Sequence, residues 1–114
     1  MINQNIPQPV DVSTADCATP STNTAAVITY DAEFGQHYLT GIGWSYSGTP
    51  TGGKLFLLDG TDCVFSVDIP ASGPMQITFP QPKVGSPSTD MVISLTAGGS
   101  GVTGKVNALN HWVQ

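Results

Sequence analysis

Short runs of alternating apolar and polar residues, separated by turns rich in glycine and proline, extend from Ala25 to Val113. Successive side chains of a β-strand point to opposite faces, so an alternating run buries one face and exposes the other. No window has the i, i+3, i+4, i+7 spacing that an amphipathic helix would show over three turns. The pattern therefore predicts a domain built from β-strands alone.

About seven such runs follow one another, separated by turn signals at intervals of roughly 8–12 residues, which is typical of sandwich folds. We expect an all-β fold, a two-sheet antiparallel sandwich of the jelly-roll type with about seven to eight strands. The runs are Ala25–Tyr30, His37–Tyr46, Lys54–Asp59, Cys63–Ile69, Met75–Phe79, Met91–Thr96 and Lys105–Val113.

The second run, His37–Tyr46, alternates without a break. Unbroken alternation places Tyr38 on the same face as Trp44, together with Ile42 and Tyr46. Gly41 and Gly43 then lie on the opposite face with Leu39, where another group approaches closely or the strand bends.

The third run is apolar on both faces, because four apolar residues follow one another between Lys54 and Asp59. Such a strand is either central in its sheet or covered by a partner. The Asp-Gly-Thr-Asp sequence from Asp59 to Asp62 then predicts a hairpin turn, since glycine tolerates the left-handed conformation.

Residues 1–23 are polar, contain three prolines and show no sustained periodicity. We expect an extended N-terminal arm over residues 1–23, ordered only where it lies on another surface, and a β-sandwich domain over residues 24–114.

Charge is scarce, at 10% of residues, with three lysines, no arginine and a net charge of −5. Nucleic acids and anionic membranes both bind proteins through basic surfaces. We therefore expect neither a nucleic-acid partner nor a membrane partner for this chain. The N-terminus lacks the basic start and apolar run of a signal peptide, which predicts synthesis in the cytoplasm. No apolar stretch approaches the roughly 18 residues that a membrane span needs.

Two glycine-rich or serine-containing motifs resemble enzyme signatures by letter only. The Gly99–Gly104 segment matches the dinucleotide fingerprint, but the residues after it read as a strand where that motif needs a helix. Ser45 lies within a strand and outside the spacing of a nucleophile elbow. His37 and His111 leave a hydrolytic triad formally open, yet each is better explained as a strand or surface residue. We expect no enzyme, no catalytic residue and no cofactor.

A metal site is not indicated by the acidic residues or by the cysteines. Asp59 and Asp62 supply too few oxygens for calcium and are interpreted as turn residues that cap their own backbone. A site formed by His37, His111 and Cys63 would need three separate segments to converge.

The two cysteines, Cys17 and Cys63, do not define a disulfide framework. We favour free thiols with Cys63 buried, and a bridge that ties the arm to the domain remains the alternative.

Three aromatic residues, Trp44, Tyr46 and Trp112, are candidates for a platform on which sugar rings stack. Ordinary packing in the core or at an interface is the simpler interpretation, because aromatic side chains dominate both. The alternation favours a core position for Trp44.

Three stretches carry a resemblance to a known group: the sequence from Leu39 to Leu55, the Gly-Pro-Met-Gln-Ile-Thr-Phe-Pro sequence from Gly73, and the glycine-rich sequence from Leu95 to Asn107. Together they resemble small proteins of tailed phages and prophages that are virion components. The similarity extends from about Ala25 to Leu109, and the arm is similar to nothing that we can name.

The resemblance implies a jelly-roll module that decorates or cements a capsid, and therefore a structural protein of the virion, located on the capsid surface. Its implied partners are itself, as a homotrimer, and the major capsid protein, with no small-molecule substrate. The alternative is a glycan- or receptor-binding module of a phage fibre or tail. Candidate subunit or partner contacts are Leu55, Phe56, Leu57, Leu58 and Trp112. Candidate capsid-binding residues of the arm are Ile2, Ile6, Val10 and Val12.

Overall fold

A computed structural model of the chain describes residues 16–32 and 34–114, and all regular structure in them is β-strand. The expected all-β class is therefore confirmed. None of the described residues forms a helix long and apolar enough to cross a membrane. The strands are β1 (Cys17–Ala18), β2 (Ala26–Tyr30), β3 (His37–Tyr46), β4 (Gly53–Asp59), β5 (Asp62–Ile69), β6 (Met75–Val84), β7 (Met91–Leu95) and β8 (Gly104–Val113).

Two antiparallel sheets of four strands each form the sandwich. Sheet I has the order β1-β8-β3-β6 and sheet II the order β2-β7-β4-β5. Strand β4 pairs with β5, β3 with β6, β2 with β7 and β1 with β8, so the chain is one long antiparallel ribbon folded onto itself. This arrangement is that of a jelly roll, which confirms the predicted sandwich.

The core lies between the sheets and consists of the inward residues of both. Alternation determines which side chains these are, as expected from the sequence. The completely buried apolar side chains at the centre of the core are Ile28, Tyr30, Leu39, Ile42, Leu55, Leu57, Met91, Ile93, Leu95 and Val106.

Strand β3 does not alternate without a break, and the predicted face of Tyr38 is wrong. The pairing of β3 with β6 shifts between Leu39 and Gly41, where four residues of β6, Phe79–Pro82, lie opposite the single residue Thr40. The phase of β3 reverses at this bulge, because an irregular residue turns the following side chains to the other face. Leu39 therefore enters the core with no exposed surface, and Tyr38 lies on the outer face.

The last residues of the predicted arm belong to the sandwich. Cys17 pairs with Asn107 and Ala18 with Val106, so β1 is an edge strand of sheet I. The candidate capsid-binding residues of the arm lie outside the described residues: Ile2, Ile6, Val10 and Val12.

The strand that is apolar on both faces is an inner strand. β4 lies between β7 and β5 in sheet II, so one of its faces meets the core and the other is the outer face of the sandwich. The predicted hairpin follows it, with Gly60 at a φ of 64° in the left-handed region.

Candidate functional site

A groove of about 510 Å³ crosses the outer face of sheet I. Strands β1, β8, β3 and β6 all contribute to it, so the groove runs over the width of the sheet. The residues that line it are Asp16, Cys17, Gly43, Trp44, Ser45, Pro74, Met75, Gln76, Asn107, Ala108 and Leu109.

Gly43 forms the floor of the groove, and the backbone does not require glycine there. A Cβ atom at this position would lie 3.8 Å from its nearest neighbours, the Gln76 Cβ and the Met75 carbonyl oxygen, which is ordinary van der Waals contact. Glycine inside a strand costs about 0.5–1 kcal/mol relative to alanine. The missing side chain therefore opens the groove at a cost in stability.

Gly41 differs from Gly43, although both lie on β3. A Cβ atom on Gly41 would collide with the Ile77 carbonyl oxygen of β6 and would lie 3.2 Å from the Leu109 Cδ1. The close approach predicted for these glycines thus applies to Gly41, whereas a Cβ atom on Gly43 would meet only ordinary contacts.

Polar side chains flank the floor. Asn107 of β8 and Gln76 of β6 are the two cross-strand partners of Gly43, and both are exposed. Each side-chain amide offers two donors and one acceptor oxygen. The groove therefore offers donors and acceptors from opposite sides.

Strand β1 forms the third side of the groove and is fixed to both sheets. The Asp16 carbonyl oxygen accepts a hydrogen bond of 2.8 Å from the Ala108 backbone, and the Asp16 carboxylate accepts one from the Tyr30 hydroxyl of sheet II. Burial, followed by this hydrogen bond and the Asp16 charge, raises the pKa of Tyr30 far above its usual value. Tyr30 therefore stays protonated and holds the Asp16 carboxylate in place.

An aromatic pair lies on the same outer face, beyond Leu109 along β8. Tyr38 and Trp112 are cross-strand partners whose rings stack with 5.3 Å between centroids and 10° between planes. Both side chains are half-buried, and the Trp112 Nε1 donates a hydrogen bond of 3.0 Å to the Gln114 side chain. The bulge that turned Tyr38 outward creates this pair.

The inner side of sheet I beneath this pair is polar. His37 is buried, with its Nε2 2.8 Å from the Asp31 carbonyl oxygen and its Nδ1 2.9 Å from the His111 Nε2. Because the Asp31 carbonyl only accepts, neutral His37 donates from Nε2, and His111 must donate to the His37 Nδ1. His111 stacks on Tyr30 at 3.5 Å between ring centroids. Burial, and then the proximity of His37, lowers the pKa of His111 to about 4.

Two of the three predicted sugar-stacking residues are in the core. Trp44 and Tyr46 are 7% and 5% exposed, and the Tyr46 hydroxyl donates to the Thr96 carbonyl oxygen at 2.7 Å. Only Trp112 lies on an outer face. The core position favoured for Trp44 is confirmed.

The predicted contact residues are separated by the structure. Leu55 and Leu57 are completely buried inside the sandwich and have no accessible surface for a subunit contact, because alternation turns them inward. Phe56 and Leu58 lie on the outer face of sheet II and are half-buried, whereas Trp112 lies on sheet I.

The cysteines are both free and both exposed. The prediction of free thiols is confirmed, and the predicted burial of Cys63 is wrong, because Cys63 lies at the bulge between β4 and β5 on the edge of sheet II.

The motifs that resemble enzyme signatures are structural. Gly99–Gly104 connects β7 to β8 and leads into a strand, so no helix N-terminus follows it. The Asp59 carboxylate accepts hydrogen bonds from the backbone and the hydroxyl of Ser86, at 2.9 and 2.6 Å, so it holds the loop after β6 rather than its own turn. Within residues 16–32 and 34–114, no three His, Cys, Asp or Glu side chains converge in a way that could hold a metal ion.

Sequence reasoning missed most of the groove. Asp16, Gln76 and Asn107 come from three separate segments of the chain, and ordinary polar residues give no signal of a site. Gly43 was noticed as an unusual residue within a strand, which is the one indication that the sequence offered.

Comparison of the sequence with family models and with curated proteins finds no match. Among solved structures, the chain is similar to the carbohydrate-binding module CBM36 in complex with calcium and xylotriose, with 15% identity and a TM-score of 0.47, covering 89% of this chain and 93% of that one. It is also similar to the CBM36-1 domain of a multidomain xylanase from the hindgut metagenome of Trinervitermes trinervoides, with 14% identity, a TM-score of 0.39 and 90% of each chain covered. At these values the similarities carry no argument about what this chain binds.

Proposed function

We propose that this protein is a non-catalytic module that binds a carbohydrate chain on the outer face of sheet I. The observation that carries the proposal is the open floor at Gly43, a position that accommodates a side chain and lacks one. An unfilled groove in the middle of a sheet loses packing and stability, so its retention is most simply explained by an occupant.

The chemistry of the walls suits sugars. Hydroxyl groups both donate and accept hydrogen bonds, and the amides of Asn107 and Gln76 do the same from opposite sides of the floor. The half-exposed Trp112 offers an aromatic surface to the apolar face of a sugar ring. The outer face of sheet I therefore combines the amides that flank the groove with an aromatic surface that lies beyond the groove along β8. Specific small-ligand sites combine polar and aromatic groups in this way.

The ligand is a neutral chain in this proposal. Asp16 is the one charged residue that lines the groove among the described residues, and the net charge of the protein is −5. A polysaccharide rich in carboxylates or sulfates would be repelled by both. The groove is open to solvent and extends across several strands of sheet I. Such a shape suits an internal segment of a longer polysaccharide chain.

The test is binding of the whole protein to a panel of neutral and anionic polysaccharides, measured by affinity electrophoresis and calorimetry. We expect a neutral polysaccharide to bind. We expect the substitution Gly43→Leu to weaken binding by about thirtyfold or more, because the Cβ atom meets only ordinary contacts and the rest of the leucine side chain would project into the groove.

The matched control is Ser94→Leu on the outer face of sheet II, which adds a leucine to a strand of the other sheet. Its binding should equal that of the wild type. A panel without any binder, or equal binding by the Gly43→Leu protein at unchanged melting temperature, would overturn the proposal.

A second candidate function, self-association in a particle, is favoured by the outer face of sheet II. Val27 is 45% exposed there, and its neighbours Phe56, Leu58 and Val92 are also apolar and at least partly accessible. Ser94 lies between Val27 and Phe56 on this face, and exposed apolar residues grouped in this way are found at association sites. In this second proposal the face joins copies of the chain into a trimer on a phage capsid.

Light scattering coupled to size-exclusion chromatography tests self-association. A trimer that the substitution Phe56→Gln converts to a monomer supports the second candidate, and a wild-type monomer at high concentration contradicts it. Binding to capsids then tests the role in the virion, with the carbohydrate test as an independent readout.

A further inference from the structure

A second cavity of about 200 Å³ lies at the side of the sandwich, where β5 ends and β6 begins. These two strands are the outermost strands of their sheets, so the cavity opens between the edges of sheets I and II. Its walls are almost entirely apolar. The residues that line it are Trp44, Val67, Asp68, Ile69, Pro70, Ala71 and Met75.

The cavity adjoins the groove on sheet I. Trp44 and Met75 line both spaces, and Pro74, beside Met75, lines the groove. Met75 is 58% exposed, and an unbranched methionine side chain repacks readily around a ligand. A ligand in the groove therefore has a route around Met75 into an apolar pocket.

Trp44, which lines both spaces, has an unused hydrogen-bond donor. Its side chain is 7% exposed, and its indole Nε1 is the one buried side-chain nitrogen or oxygen without a partner among the described residues. An unpaired buried donor is unfavourable, and most such groups in proteins have a partner. The Nε1 itself has almost no accessible surface, so an acceptor on a ligand reaches it when the neighbouring Met75 side chain moves aside, and would then supply the missing partner.

We infer that the carbohydrate ligand carries a short acyl ester, with the sugar chain in the groove, the acyl chain in the apolar cavity and the ester carbonyl oxygen accepting from the Trp44 Nε1. This inference rests on the proposed carbohydrate binding and adds the class of substituent. The volume suits a chain of a few carbons and excludes a long lipid tail.

The experiment uses the oligosaccharide that competes best in the polysaccharide panel, prepared in three forms. One is unsubstituted, one carries a butyryl ester at successive hydroxyl groups in separate preparations, and one carries a butyl ether at the same positions. We expect one butyryl ester to bind the whole protein roughly tenfold more tightly than the unsubstituted form, because its methylene groups leave water. The ether lacks the carbonyl acceptor and should gain less.

Two variants test whether the higher affinity of the ester comes from the apolar cavity and from the Trp44 Nε1. Ala71→Leu fills the cavity from an exposed loop position and should abolish the advantage of the ester while the unsubstituted form binds as it does to the wild type. Trp44→Phe keeps an aromatic ring in the core and removes the N–H, so the ester should bind no better than the ether. Thr61→Leu, at the exposed turn between β4 and β5, is the control for an added leucine.

The two proposals fail in different ways. If no form of any oligosaccharide binds, carbohydrate binding and the ester inference both fall. If the unsubstituted form binds and no ester binds more tightly, or if the ester keeps its advantage in the Ala71→Leu protein, the inference is overturned and the proposed function remains. Melting temperatures of all variants show whether a loss reflects unfolding.

Discussion

The inner strands β3 and β4 present outer surfaces of different chemical character to solvent. On β3 the outward residues after the bulge are Gly43 and Ser45, and they lie at the bottom of a groove. On β4 the outward residues include Phe56 and Leu58, which cover the sheet with apolar side chains. After the bulge, the inward residues of β3 are mostly apolar like those of β4, so this difference concerns the outer faces.

This difference separates two kinds of recognition. A groove with polar walls and an open floor suits a ligand that enters the surface and forms hydrogen bonds. An outer face with accessible apolar side chains suits a second protein surface that removes these side chains from water. The two proposed functions therefore use different sheets, and variants of one face should leave the function of the other unchanged.

The largest expected effect distinguishes the two glycines of β3. Gly41→Ala should destabilise the protein by about 3 kcal/mol or more, because its Cβ atom collides with the backbone of β6. Gly43→Ala should stabilise it by about 0.5–1 kcal/mol, because the new Cβ atom meets only ordinary contacts. Denaturant unfolding measures both. Equal destabilisation by the two substitutions would show that Gly43 has a structural role and would remove the main support for the groove as a site.

The next effect compares one aromatic residue from each outer face. Trp112→Ala should weaken carbohydrate binding by about 2 kcal/mol, which corresponds to roughly thirtyfold, because a large aromatic contact is lost. Phe56→Ala, on the outer face of sheet II, should leave carbohydrate binding unchanged. Calorimetry with the best ligand of the panel measures both affinities. If the two substitutions have the same effect, the ligand does not lie on sheet I as proposed.

The smallest effect concerns the inner sides of the strands. His37 of β3 and His111 of β8 are ionisable, whereas the inward residues of β4 are apolar. The pKa of His111 is about 4 in the folded protein, below its ordinary value of 6.5. Between these values the unfolded chain binds a proton that the folded chain does not, so this contribution is complete above pH 6.5 and is lost as the pH falls toward 4. Because His111 is only half-buried, we expect the loss to be about 1 kcal/mol.

Thermal unfolding of the wild type and of His111→Phe at pH 7 and pH 4.5 measures this contribution. Phenylalanine keeps a ring against Tyr30 and does not titrate, so the variant should lose less stability on acidification than the wild type. Carboxylates that lie far from His111 contribute equally to both proteins and cancel in the difference, whereas Asp16 interacts with His111 and is part of the effect. An identical loss in the two proteins would contradict the lowered pKa.

Much of the fold could be predicted from local patterns, and most of the site could not. Each of the seven predicted runs overlaps a strand, because alternation is a property of neighbouring residues. β1 was not predicted, because a strand of two residues is too short to show an alternation of apolar and polar residues. Tyr38 was assigned to the wrong face because the extra residues that cause the bulge lie on β6, far away in the sequence.

By itself, the sequence determined the all-β class, the sandwich, the hairpin after Asp59, the core position of Trp44 and the scarcity of basic residues. These depend on local periodicity, turn chemistry and composition, which are all readable along the chain. Only the tertiary structure decided that Tyr38 meets Trp112 outside, that His37 meets His111 inside and that Gly43 lies at the floor of a groove between Gln76 and Asn107. Cross-strand register joins residues that are distant in sequence, and a bulge in one strand changes the face of its neighbour.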